Sequence, residues 1–118
     1  MKLKSQDYID TRDIAFFDFE VFPNYNVMCW KIMDKPSVNI ERFPSAQFLS
    51  AFFKTYKAIG FNNKGYDNPI ALAIMRGASS EELYNYSKRI VSGSEVKIPR
   101  EAKQLSYSDI HDCSNTKQ

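Results

Sequence analysis

The first patterned stretch, Ile14 to Phe22, is apolar and aromatic, broken only by Asp18 and Glu20 and closed by Pro23-Asn24. It predicts a central strand. Asn26 to Ile32 is a second apolar run. After the Asp34-Lys35-Pro36 turn, Val38, Ile40 and Arg42 alternate with polar neighbours from Ser37 to Phe43, which predicts a third strand. Three strands joined by short turns predict an antiparallel meander. From Ser45 the period changes. Ser45 reads as a helix N-cap, and Phe48, Leu49, Phe52, Phe53 and Tyr56 recur on one helical face up to Lys57. Ala58 to Phe61 then predicts a fourth strand that returns to the sheet by a crossover, followed by a loop from Asn62 to Tyr66. Asp67 or Asn68, before Pro69, caps a helix that Gly77 closes. Ser79-Ser80-Glu81-Glu82 is a capping box opening another helix, with Leu83, Tyr86 and Ile90 as apolar positions and Ser92-Gly93-Ser94 as its end. Leu105 to Asp112 predicts a fifth strand. The pattern as a whole is α/β with a mixed sheet of about five strands, the meander first and the crossover strands after it.

A length of 118 residues fits one domain, and 43% hydrophobic residues with only four Gly and five Pro give a packed chain rather than a disordered one. A net charge of +2 is too small to argue for a nucleic-acid coat or a membrane-surface protein, so any nucleic-acid role must come from a site. Between Lys88 and Lys103 five cations stand against two acids, which predicts a basic surface loop. Cys29 and Cys113 form no metal-binding cluster. The polar start and the absence of a long apolar run predict a cytoplasmic protein that does not engage a membrane.

Asp18 and Glu20 lie two apart on the predicted first strand, so both carboxylates project from one face as a like-charge pair. A hard divalent cation, Mg²⁺ or Mn²⁺, is the natural compensation, and the plain alternative is an exposed strand end. Asp67, where the fourth strand gives way to a helix, is a candidate third ligand. Its plain alternative is an N-cap or Asx turn.

An Asp-x-Glu on the first strand, a meander, a helix, and then a short strand ending in Asn-x-x-Tyr-Asp resembles the 3′-5′ exonuclease domain of the DEDD superfamily. It is most similar to the proofreading domain of family B and related phage DNA polymerases. Phe17-Asp18-Phe19-Glu20 matches that family's first motif and Gly60 to Ile70, containing Asn62-Asn63-Lys64-Gly65-Tyr66-Asp67, its second, within a resemblance over residues 12 to 112. The resemblance implies an RNase H-like fold, with Asp18 bridging two Mg²⁺ or Mn²⁺ ions, Glu20 on the ion that activates water and Asp67 on the other. It implies that Asn62 or Asn63 positions the strand end and that Phe19 and Tyr66 pack on terminal bases. The substrate would be a single-stranded DNA 3′ end, in a bacterial or phage-infected cell.

The family's third motif, an aromatic or His followed by a fourth Asp on a C-terminal helix, has no match: Tyr107 and Asp112 are wrongly spaced. His111 is a general base by type alone. Residues 1–118 therefore read as one truncated exonuclease-like domain lacking that helix, either a piece of a DNA polymerase or a stand-alone phage protein. The alternative function is a catalytically inactive phage protein that keeps the fold and binds or inhibits a host nuclease or nucleoprotein complex, through the basic Lys88 to Lys103 region or the meander edge.

Overall fold

Alternation along the first apolar run produces β1 (Ile14–Phe22), in which Ala15, Phe17 and Phe19 are buried while Asp18, Glu20 and Phe22 are exposed. A computed structural model describes residues 10–60 and 63–109. The two-residue Pro23-Asn24 turn folds β2 (Tyr25–Ile32) back along β1 in unbroken antiparallel register, from Ala15 opposite Ile32 to Phe22 opposite Tyr25. β3 (Asn39–Arg42) pairs antiparallel with β2, so the predicted meander is formed. Phe43 ends β3 earlier than the alternation suggests. Its φ of 51° lies in the left-handed region, which turns the chain out of the strand while its N–H still donates to the Asn26 carbonyl at 2.9 Å.

Ser45 caps α1 (Ala46–Thr55), its side chain accepting from the Phe48 N–H. The helix stops short of Lys57, because the Lys57 N–H already donates to the Asp13 carbonyl at 2.8 Å and opens β4 (Lys57–Gly60) parallel to β1. Arg12 ties this junction together. Its guanidinium donates to the Phe53 and Tyr56 carbonyls at 3.1 and 3.2 Å and pairs with Asp10, whose carboxyl it holds down at about 2. A π-helical turn over Asn63–Asp67 runs into α2 (Asn68–Met75), where the sequence predicted a loop. Gly77, at φ +89°, turns the chain toward α3 (Ser80–Val91), which opens with the predicted capping box between Ser79 and Glu82.

The segment predicted as a wholly solvated basic loop contains a short helix, α4 (Arg100–Lys103), anchored by the fully buried Ala102. Among the described residues the last strand is only β5 (Ser108–Asp109), parallel to β4; Ile110, His111 and Asp112 lie outside them. The sheet order is β3-β2-β1-β4-β5, mixed, with helices packed on it. Phe17, Phe19, Met28 and Ala58 from the sheet form one core cluster with Leu49 and Phe52 of α1, Ile70 and Ala71 of α2 and Leu83 of α3. The chain is thus α/β, and no helix among the described residues is long and apolar enough to cross a membrane.

Candidate functional site

Because β1 alternates, Asp18 and Glu20 share the face opposite the Phe17 and Phe19 rings, and both are exposed. Their cross-strand neighbours on β2 are Cys29 and Val27. Burial pushes the Cys29 thiol up, and the charges of Asp18 and then Glu20 push it further, which places both carboxylates close to that sulfur. Asp18 itself is pushed above the ordinary carboxylate range, first by desolvation and then by Glu20, with the Phe19 amide acting weakly the other way. The ionised form of Asp18 is therefore penalised beside a second acid, the condition a bound cation relieves.

The third acid reaches the same place by an unexpected route. Among the described residues, strands β1 and β4 are paired as far as Phe16 and Ile59, and the Phe19 N–H lies further along β1. The Asp67 side chain reaches it: its Oδ1 accepts from the Phe19 N–H at 2.9 Å, a buried bond across 48 residues of sequence. Asp67 stands at the N-cap of α2 but has helical backbone angles and makes no side-chain cap there, so the plain capping reading does not hold. The bond connects Asp67 to the residue that lies between Asp18 and Glu20.

Tyr66 feels the charge of all three. Burial is the main cause that pushes its phenol up, its hydrogen bond with Ser87 acts in the opposite sense, and the charges of Asp67, Asp18 and Glu20 each push it up again. That bond, Tyr66 Oη to Ser87 Oγ at 2.7 Å, fixes the half-buried ring against α3. Sequence reading missed Ser87, a buried serine between apolar helical positions; its spacing from Leu83, one turn earlier, was the available signal. It also missed Asn68, fully buried, whose Nδ2 donates to Ser106 Oγ at 3.0 Å and fastens the start of α2 to the segment before β5.

The other expected nucleic-acid contacts fare differently. The Phe19 ring is a core residue, 3% exposed and edge-on to Phe17, so it offers no face to a base; its part in the site is its backbone amide. Asn63 opens the π-helical turn, and Asn62 lies outside the described residues. At the start of the basic stretch Lys88 sits over the Tyr84 ring and Arg89 over the Tyr86 ring, at 5.1 and 6.0 Å from the centroids.

For a divalent cation the fit is partial. Asp18 and Glu20 supply hard oxygen donors on one face, yet among the described residues no three His, Cys, Asp or Glu side chains stand together closely enough to hold a metal ion. Asp67 has one oxygen committed to Phe19. No family model, curated protein or solved structure matches the chain.

Proposed function

We propose that this chain is a 3′-5′ exonuclease-type domain with an RNase H-like fold, acting on single-stranded DNA ends, with Asp18, Glu20 and Asp67 as the acidic centre. The observation that carries the reading is the Asp67 to Phe19 hydrogen bond, because it links the two sequence motifs that gave the resemblance. A strand order of β3-β2-β1-β4-β5, antiparallel through β1 to β3 and parallel through β1, β4 and β5, supports the fold assignment. In this reading Asp18 and Glu20 hold Mg²⁺ or Mn²⁺, which when bound activates water and neutralises charge on the phosphate. Asp67, fixed by the Phe19 amide, sets the far wall of the site, and Tyr66, held by Ser87, flanks it with an aromatic edge for the terminal nucleotide.

The test is shortening of end-labelled single-stranded DNA in Mg²⁺ or Mn²⁺, with chelator and an Asp18→Ala variant beside it. Metal-dependent loss of 3′ nucleotides that disappears in the variant supports the reading. No shortening by folded protein with both metals overturns it as a stand-alone activity.

A second reading is favoured by one observation, that no three-ligand metal group stands among the described residues. In it the domain keeps the fold, lacks hydrolysis, and engages a host nuclease or nucleoprotein complex. It expects partner binding that survives both the chelator and Asp18→Ala.

A further inference from the structure

A cavity of about 340 Å³ lies between α2 and α3, and none of Asp18, Glu20 and Asp67 lines it. Pro69, Leu72, Ala73 and Arg76 line it at helical spacing from one helix, Glu82 and Tyr86 from the next, and Pro99 closes one side. Asp67 precedes Pro69 by two residues, about 200° round the helix, so the cavity is not part of the carboxylate site.

Its chemistry is specific in three ways. The lining is largely apolar, two prolines with Leu72 and Ala73, and Tyr86 adds an aromatic ring. The Tyr86 hydroxyl has no hydrogen-bond partner among the described residues. Burial pushes its phenol up while the guanidinium groups of Arg89, beside its ring, and Arg76, on the cavity wall, pull it down. Arg76 is available to a ligand. Its side chain is 56% exposed, and its carboxylate neighbour among the described residues, Glu101, is 3.8 Å away and 65% exposed, a loose pair that contributes little. Glu82, with Oε1 engaged by the Ser79 N–H, adds an acceptor at the rim.

An apolar slot with a donor guanidinium, an acceptor carboxylate and an unpaired phenol matches a flat heteroaromatic ring that carries both edge donors and an attached anion. We propose that this cavity binds a nucleotide, with the base between the prolines and Tyr86 and its phosphate on Arg76. The source is either a free nucleoside monophosphate or an unstacked nucleotide of a single strand. The cavity is argued from its own residues and deepens the nucleic-acid reading without depending on hydrolysis.

Backbone amide shifts of the full chain, titrated in chelator with dAMP or with a short oligodeoxyadenylate, test it. The expected result is saturable shifts at Leu72, Ala73, Arg76, Ala78 and Tyr86, weakened at least tenfold by Arg76→Ala, reduced by Tyr86→Phe, and kept by Asp18→Asn. Binding of dAMP assigns a free-nucleotide site, and binding of the oligomer alone assigns a strand contact. No saturable shift with either probe, affinity unchanged in Arg76→Ala, or shifts confined to β1 and lost in Asp18→Asn would overturn it. Because the chelator removes cations from β1, failure here and failure of the nuclease reading are separate results.

Discussion

Asp67 stands at the head of α2 but directs its carboxylate to the backbone N–H of Phe19, 2.9 Å away on the central strand. One bond joins the two halves of the candidate site and satisfies a buried strand amide. Asp67→Ala leaves that buried N–H without a partner, and a loss of about 1 to 3 kcal/mol is expected on urea unfolding. Asp67→Asn keeps an acceptor there and should lose less. Equal stability of both variants and the parent would show that the bond is not formed in solution.

Asp18 gives a pH dependence of definite sign. Its carboxyl is pushed up in the folded chain by desolvation and by Glu20, so the folded state binds its proton more tightly than the unfolded state does. Stability from this group therefore falls as pH rises out of the ordinary carboxylate range and through the raised folded value. Asp18→Asn removes the penalty. In metal-free buffer the variant should unfold at a higher temperature than the parent at neutral pH, and the difference should vanish in acid, where both are uncharged at this position.

Phe19 separates packing from nucleic-acid contact. With its ring 3% exposed in the cluster that includes Phe17 and Leu83, Phe19→Ala should cost about 3 to 5 kcal/mol. Phe19→Leu, which keeps most of the buried volume and the backbone amide, should fold and bind single-stranded DNA like the parent. A selective loss of DNA binding in a stably folded Phe19→Leu protein would restore the stacking role that the sequence suggested.

Much of the architecture was legible because it is written in periodicity and caps. The period of two placed Asp18 and Glu20 on one face of β1, Ser45 and the Ser79 to Glu82 box marked two helix starts, and the crossover to β4 followed from a helix between two apolar runs. Legibility failed where a side chain had two reasonable partners. An Asp before Asn-Pro looks like a cap, and only the three-dimensional approach of α2 to β1 shows that Asp67 turns to the Phe19 amide instead. For Phe19 the resemblance implied packing on terminal bases, whereas the same alternation that exposes the acids buries its ring. α4 was invisible because one buried alanine in a four-residue helix gives no period to read.

The central claim of the proposed function is that Asp18 and Glu20 hold a divalent cation in a site that Asp67 borders, and Mn²⁺ titration followed by thermal unfolding tests it most directly. A cation bound only by the folded chain raises its unfolding temperature progressively with concentration. The account predicts that Mn²⁺ stabilises the parent and that Asp18→Asn, Glu20→Gln and Asp67→Asn each reduce the effect. Stabilisation unchanged in all three variants, or absent from the parent, would contradict it.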